Sequence, residues 1–538
     1  VPVIGVKLWD LERLSGVRLP RDKDELTKLL AIFKAELEEL NEDEAVYEAA
    51  HDRADLFSAE GLARAIAIYY GKRDVPVYKA TKGNVVLDIT EAPKYRPYAF
   101  GAVVRNLELD DEAIRQLFQL QEKLAISYGN KREIVSIGLY DLDALDPHWY
   151  DKDRFIIKYK AVSEGKMRPL GYDEVMSFEE VLERTQKGQE YGHLVVKGQY
   201  PIFEHEGKVM SLAPILNAED YKVTESTRNV FVDVTGTIPE IMLRVLDVMV
   251  TSIAERSPEP IIEKVEVLGF GETPRLRYKE LEIEGNDIAE VAGFEVPDYE
   301  RHLKRMGLMV KDGKVIVPPF RIDIFDKVDL VEDVLASYGY QNLPREALAP
   351  THWGSRDPFY DYLARVMIGM GLNEVFNFVL VDEELVEDLL GTKPVKILNP
   401  RMKSYSAARP SLIPSLLLTV KQNQEKFSRI EAFEIGPVID SEKTQWRLGT
   451  VIAGDKVTLT DVGAVLMGLK ELFRFELELK RYDGKPFIPG RAAKVIINKR
   501  EAGVMGEVHP EYLVKMGIRY PVALMELDPD SLRAPLHG

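Results

Sequence analysis

Between about residue 84 and residue 264 the chain is written in short apolar runs, "NVVLDI", "AFGAVV", "IVSIGLY", "RFIIKYKA" and "NVFVDVTG", and no other feature constrains its fold so strongly. Runs of this length, rich in β-branched residues, read as strands. Helical patterns are inserted among them, including one opened by a capping box of Ser177 and Glu180 and closed by Gly188. Strands and helices mixed at this density predict an α+β unit large enough for its own pocket. In "NVFVDVTG" the two-residue period puts Val230, Val232 and Val234 on one side and Phe231, Asp233 and Thr235 on the other. One face is greasy and the other has polar reach. A local alternative is that Asp233 and Thr235 make turn bonds ahead of Thr237 and Pro239, which open the next helix.

At 538 residues the chain needs several cores, and its pattern divides on either side of that unit. The first 80 or so residues predict a small mixed unit, with a helix keeping Leu26, Leu29, Leu30, Phe33, Leu37 and Leu40 on one face. A second helix runs from Ser58 to Gly71. A Ser-Pro-Glu-Pro stretch at 257 to 260 precedes a third region, which ends in the proline-marked linker "YGYQNLPREALAP". The last region, from about Thr351, puts long helices first ("DPFYDYLARVMIGMG", "DEELVEDLLG", "PSLIPSLLLTVKQNQ"). Strands lie between and after them ("NEVFNFVL", "RIEAFEIGPVI", "AAKVIINK", "GVMGEVH"). The expected domains are 1–82, 83–265, 266–346 and 347–538.

A net charge of -18 argues against a general polyanion binder or a membrane-surface protein, so a nucleic-acid partner needs a local basic surface or another subunit. With no cysteine, disulfides, thiolate metal sites and cysteine nucleophiles are excluded. The longest apolar helix pattern, "IPEIMLRVLDVMVTSIAER", carries Arg244 and Asp247 too early for a membrane span and reads as a core helix. The amino-terminal "VPVIGVKLWDLERL" lacks the pattern of a secretory signal, so the cytoplasm is the expected location.

The stretch "RIDIFDKVDLVEDV" places five carboxylates in eleven positions. Reading "FRIDI" as a strand and "VDLVEDVLASYG" as a helix puts Val328, Val331, Val334 and Leu335 inside. Asp329, Glu332 and Asp333 then fall at i, i+3 and i+4 on one helix face. The plainer reading is acid at a helix amino terminus, where the dipole relieves about 0.3–1 kcal/mol per group. The sharper one is a hard cation such as Mg²⁺, which takes oxygen ligands.

This stretch, with its proline-rich lead "PPFRIDI" and its sequel "YGY", resembles the B5 module of phenylalanyl-tRNA synthetase β subunits of the archaeal and eukaryotic type. The first region carries "DRADLFSAEGLAR", with Ala54 where the family usually has proline. The second carries "YRPYAFGAVVRNL", "QEKLAISYGNKREIVSIGLYDLDAL" and "SLAPILNAEDYKVTESTRNVFVDVTGT", similar to the B3/B4 editing module. The fourth has "LNPRMKSYSAARPSLIPSLL", "FEIG" and "GVMGEVHPEYL", similar to the catalytic-like B6/B7 domain. The resemblance implies a multidomain α+β protein: a small N-terminal α/β unit, an editing module, a helix-containing B5 module and a class II synthetase-like antiparallel-sheet domain.

It further implies a Mg²⁺ site shared with an α subunit, formed by Asp323, Asp329, Glu332 and Asp333. An editing pocket formed by Ile202, Ser211, Asp233 and Thr235 would bind tyrosine and orient water, with Ile202 shaping its wall. ATP-dependent aminoacylation of tRNA(Phe) is expected on the α subunit of an (αβ)₂ heterotetramer. In this chain the nearest match to the class II Gly-x-Gly-x-x-Arg stretch, Gly369 to Glu374, ends in glutamate, and "RIE" at 429 to 431 reads as a surface strand. His193 and His205 read as loop or surface residues. Two alternatives stay open: a scaffold subunit whose pocket is dead, and a free-standing hydrolase that edits in trans.

Overall fold

The structure, a computed structural model, describes residues 2–311, 313–345, 347, 357–441 and 443–533. The amino-terminal residues form a three-stranded antiparallel sheet of order β1-β3-β2, with β1 Val3–Lys7, β2 Ala35–Leu40 and β3 Glu44–Ala49. Three helices accompany it: α1 Leu8–Ser15, α2 Lys23–Ala31 and α3 Ala59–Tyr69. The helix expected through Leu40 ends at Ala31. Lys34 takes φ +60, a left-handed turn that breaks the helix, and Ala35 and Leu37 then face inward as alternate residues of a strand.

The central strand runs build one sheet from β4 Ala80–Asp88, β5 Tyr98–Arg105, β6 Val135–Asp141, β7 Phe155–Val162, then β10 Tyr200–His205, β11 Lys208–Leu212, β12 Leu216–Asn217, β13 Val230–Gly236, β14 Ile261–Val267 and β15 Gly271–Thr273. Its order is β12-β11-β10-β7-β4-β14-β5-β13-β6, with β15 beside β14, and a small hairpin of β8 Lys166–Met167 and β9 Met176–Ser177 stands apart. The helices of this region are α4 Asp111–Ile126, α5 Leu142–Leu145, α6 Phe178–Arg184, α7 Gln186–Tyr191 and α8 Pro239–Ile253. Strand β13 is buried at every residue. Val230, Val232 and Val234 join the core beside Met242, Val245 and Met249 of α8, each valine contributing about 1.5–3 kcal/mol. Proline at the first position of α8 starts that core helix where its missing N–H costs nothing. The capping box at Ser177 is formed, but α6 ends at Arg184; Gly188 lies inside α7, where a Cβ would meet the Val181 carbonyl at 2.1 Å.

Beyond it, β16 Lys279–Glu282, β17 Met309–Lys311 and β18 Lys314–Val317 pair in the order β16-β18-β17. They share a core with α9 Gly285–Ala292, α10 Tyr299–Arg305 and α11 Lys327–Tyr338 through Ile288, Leu303, Leu330 and Val334. Two expectations fail here. "FRIDI" forms turns rather than a strand, and Val328 is 57% exposed, because α11 begins at Lys327 and buries Leu330, Val331, Val334 and Leu335 instead.

Residues 1–347 form one compact unit and 348–538 a second. The linker expected at 338–350 falls partly outside the described residues, as does Thr351. The second unit holds α12 Phe359–Gly369, β19 Asn373–Glu374, β20 Leu380–Val381, α13 Glu383–Leu390, β21 Ala407–Ala408, α14 Ile413–Asn423, β22 Arg429–Asp440, β23 Lys443–Gly454, α15 Leu459–Phe473, β24 Leu477–Arg481, β25 Phe487–Ile497, β26 Arg500–Val508, α16 Pro510–Met516 and β27 Val522–Leu527. Its seven-stranded sheet runs β19-β22-β23-β27-β26-β25-β24, antiparallel except where β19 joins β22. Alternate strand residues feed two cores. Phe433, Ile452 and Met525 pack with α12 and α15; Ala432, Val451 and Leu524 pack with α13, α14 and α16. "NEVFNFVL" forms only the short strands β19 and β20, leaving Phe376 and Phe378 exposed. No helix among the described residues is long and apolar enough to cross a membrane.

Candidate functional site

The ten-stranded sheet curls until its ends meet. The Asn217 side-chain amide of β12 donates to the Leu139 carbonyl of β6 at 3.1 Å, and the Tyr140 hydroxyl donates to Ser211 Oγ of β11 at 2.9 Å. A cavity of about 340 Å³ lies against this seam, with Tyr140, Gly138, Ser211 and Asp233 in its wall. Register explains the opening. Asp233 of β13 stands opposite Gly138 of β6 and Gly101 of β5, and a Cβ on Gly138 would lie 2.0 Å from Asp233 Oδ2 and 2.5 Å from the Tyr140 hydroxyl. Only glycine leaves the carboxylate room.

Burial pushes the Asp233 carboxyl up to about 7, although the neighbouring Tyr140 hydroxyl and the Arg96 charge pull it down. Its Oδ2 is buried and has no hydrogen-bond partner. Such an orphan costs about 1–3 kcal/mol unless a ligand satisfies it. Burial and the Asp233 charge together raise Tyr140 well above the ordinary phenol range, so Tyr140 is a donor at neutral pH. Its hydroxyl donates to Ser211 Oγ and also lies beside the Asp233 carboxyl.

Behind Asp233, Arg96 is buried and donates to Thr235 Oγ1 at 2.9 Å, to the Thr235 carbonyl at 2.6 Å and to Ser136 Oγ at 2.9 Å. Ser136 Oγ and Thr235 Oγ1 are 2.8 Å apart. On the other wall Arg132 donates to the carbonyls of Pro214 and Ile215 and to Glu122, which also accepts from Lys187. Burial would raise the Glu122 carboxyl, but these two cations outweigh it and hold the group below its ordinary value.

The structure therefore brings Ser211 and Asp233 together at one cavity. Thr235 is bonded into the Arg96 network, one step behind the cavity's Ser136, and the turn alternative fails because Asp233 and Thr235 sit within β13. Ile202 does not line the cavity; it packs with Phe178, Tyr200 and Leu212 in a separate cluster. Tyr140, Gly138, Ser136, Arg96 and Arg132 were not singled out from the sequence. A glycine inside the strand run "VSIGLY" was the signal available. His193 is exposed as expected, but His205 is 3% exposed.

The four acidic residues Asp323, Asp329, Glu332 and Asp333 do not form one cluster. Arg321 Nη2 reaches Asp323 at 2.7 Å and Asp333 at 2.8 Å, and its Nε donates to Asp323 at 2.9 Å. Burial pushes both carboxyls up. At Asp323 the arginine overcomes this and holds the group low, whereas Asp333, fully enclosed and beside the Asp323 charge, stays raised. Asp329 instead accepts from the Phe325 and Asp326 amides at 2.7 and 2.9 Å, closing the capping box of α11. Glu332 pairs with Lys34 at 2.9 Å. No three of the four bring one oxygen each within 4.8 Å of one another. With two carboxylates given to an arginine, one to backbone and one to a lysine, these residues do not fit a magnesium ion held by all four. In the second unit, Gly369 closes α12, Glu374 ends β19, and Arg429 pairs with Glu431 and Asp461 at the start of β22.

Comparison with known proteins bears on the whole chain. Residues 281–340 match the model of the tRNA synthetase B5 domain, and residues 340–529 match that of the phenylalanyl tRNA synthetase beta chain CLM domain. A phenylalanine–tRNA ligase beta subunit of Thermofilum pendens is 40% identical over 98% of this chain and 97% of its own length. The beta subunit of Thermococcus kodakarensis is 36% identical over 98% of both. The crystal structure of an N-terminal fragment of the phenylalanyl-tRNA synthetase beta subunit from Pyrococcus horikoshii superposes with TM-score 0.56 at 38% identity, covering 63% of this chain and all of that one.

Proposed function

The chain belongs to the archaeal-type phenylalanine–tRNA ligase β-subunit family, and on that premise we propose that it works with an α subunit and tRNA(Phe) while its own cavity hydrolyses mischarged Tyr-tRNA(Phe). In this reading the chain has four domains, divided at 82, 265 and 346. The assembly is an (αβ)₂ heterotetramer in the cytoplasm, and the α subunit carries the site that uses ATP and Mg²⁺. The arginine-free "GMGLNE" supports leaving aminoacylation to that partner, since phosphate chemistry needs fixed cations.

One observation carries the editing assignment: Asp233 Oδ2 is an unpartnered carboxylate oxygen in the wall of a cavity. Tyrosine differs from phenylalanine by a hydroxyl, and an apolar synthetic pocket rejects an added hydroxyl only modestly. A second pocket that must hydrogen-bond the hydroxyl discriminates in the opposite sense. The phenol of a tyrosyl ester satisfies Oδ2; a phenylalanyl ester leaves it buried and unpaired. Ser211, accepting from the Tyr140 hydroxyl, lines the space where water or the ester carbonyl lies. Thr235 and Ser136, tied to Arg96, keep β13 and β6 in register behind them. Glu122 and Lys187 give the wall a charged rim. The ester is already labile, so an oriented water serves as the nucleophile and no side-chain nucleophile is needed.

The test is deacylation of Tyr-tRNA(Phe) by the purified αβ complex. Asp233→Ala is expected to lower the rate roughly 10²–10³-fold while Phe-tRNA(Phe) synthesis stays unchanged. Full deacylation by Asp233→Ala and Ser211→Ala would sink the site.

A further inference from the structure

At the far end of β10 the chain turns through Glu206 and Gly207, both with positive φ, into β11, and this turn faces the end of α5. There Asp146, His205 and Glu206 bring one ligand atom each within 4.8 Å of one another. We propose that these three side chains form a site for a divalent ion of the zinc class, which takes imidazole nitrogen and carboxylate oxygen together.

The histidine carries the argument. Its ring is 3% exposed, stacks on Phe155 at 4.0 Å, and sets Nδ1 2.8 Å from the Ile156 carbonyl. A carbonyl only accepts, so Nδ1 donates to it, and Nε2 is the ring nitrogen left for a metal. Orientation of a ligating imidazole by a backbone carbonyl is the usual support behind a metal. Nε2 is buried and has no hydrogen-bond partner. It points at Asp146 Oδ2, 3.8 Å away, and at Glu206 Oε2, 3.9 Å away.

An unpartnered imidazole nitrogen and two carboxylates thus face one another, a donor set that suits a cation. Lys152 supplies one in part: its ammonium lies 2.7 Å from Asp146 and 3.1 Å from Glu206, but its contacts leave Nε2 unused. A metal would use all three atoms. Bonds of roughly 2.0–2.1 Å in tetrahedral geometry set ligand atoms about 3.3 Å apart, so each carboxylate must close on Nε2 by about half an ångström. Glu206 is on an exposed turn and Lys152 is half-buried, so one can move in and the other out. Asp146 is held by the His148 amide at 2.9 Å. The ion would staple the β10–β11 turn to the end of α5 on the same sheet that presents Ser211.

The experiment is titration of the chelator-stripped full chain with Co²⁺, in excess Mg²⁺ to fill oxygen-only sites, read by visible absorption and then by displacement with Zn²⁺. One saturable equivalent with a tetrahedral-type spectrum is expected. His205→Gln and Glu206→Gln should each weaken it by at least about tenfold, and Lys152→Met, by removing the competing ammonium, should tighten it by about tenfold. Glu206 is largely exposed, so its variant tests the site even where the His205 variant fails to fold. Absence of a saturable equivalent, or an affinity unmoved by Glu206→Gln and Lys152→Met, would overturn the site.

Discussion

Tyr140 lies on β6 at one end of the ten-stranded sheet and Ser211 on β11, next to the other end, and a single hydrogen bond of 2.9 Å between their hydroxyls joins β6 to β11. Tyr140→Phe removes that donor and the hydroxyl beside Asp233 without opening a cavity. The expected cost in stability is about 0.5–1.5 kcal/mol, as for one buried hydrogen bond. Deacylation of Tyr-tRNA(Phe) should fall more than that figure implies, because Ser211 loses its orientation and Asp233 a neighbour. Equal, small losses in both thermal unfolding and deacylation would mean that the bond is only a fastening.

Asp233 and Asp247 are both buried and both pushed up to about 7 from an ordinary value of 3.8. Between those values the folded chain binds more protons than the unfolded chain, so stability falls as pH rises from about 4 to about 7. Each group contributes a slope of at most about 1.4 kcal/mol per pH unit. Asp233→Asn should remove one share of that slope and raise stability at neutral pH. Urea unfolding at several pH values measures it; an unchanged slope in the variant would place the titration elsewhere. Deacylation that needs the carboxylate should in turn rise with pH through about 7.

The sequence made the strands of the central sheet legible because a two-residue period over a buried face is hard to write by accident: β13 came out with Val232 inward and Asp233 on the cavity side. Failures came where a helical spacing continued by coincidence. Leu37 lies seven residues after Leu30, and only the left-handed Lys34 reveals the break. The acidic stretch shows the same limit in chemistry. Spacing grouped Asp329, Glu332 and Asp333, whereas Arg321, inside the same motif, decides which carboxylates meet. The distant Lys34 claims Glu332, a partner no local pattern contains.

Arg321 donates hydrogen bonds to two buried carboxylates, Asp323 and Asp333, so its removal should be costly. Arg321→Met leaves Asp323 and Asp333 facing each other, and the expected loss is about 3–5 kcal/mol. Adding Asp333→Asn, which removes one charge at the raised group, should restore part of it. A variant that unfolds at the wild-type midpoint in denaturant would show that another cation takes the arginine's place.

Gly138 offers the sharpest separation of fold from site. Its Cβ would meet Asp233 Oδ2 at 2.0 Å and the Tyr140 hydroxyl at 2.5 Å, so Gly138→Ala must drive the carboxylate or the phenol from its place. Overpacking of this kind costs about 1–3 kcal/mol. The editing reaction should fall about as far as in Asp233→Ala, since the same oxygen is displaced, while aminoacylation by the complex continues. In the double variant Asp233→Ala, Gly138→Ala, the nearest clash is gone. The stability losses should therefore be less than additive, and the second substitution should remove little further activity. Strict additivity in both measurements would show that the alanine methyl is accommodated by the strands moving apart, and that the carboxylate's position does not depend on the glycine opposite it.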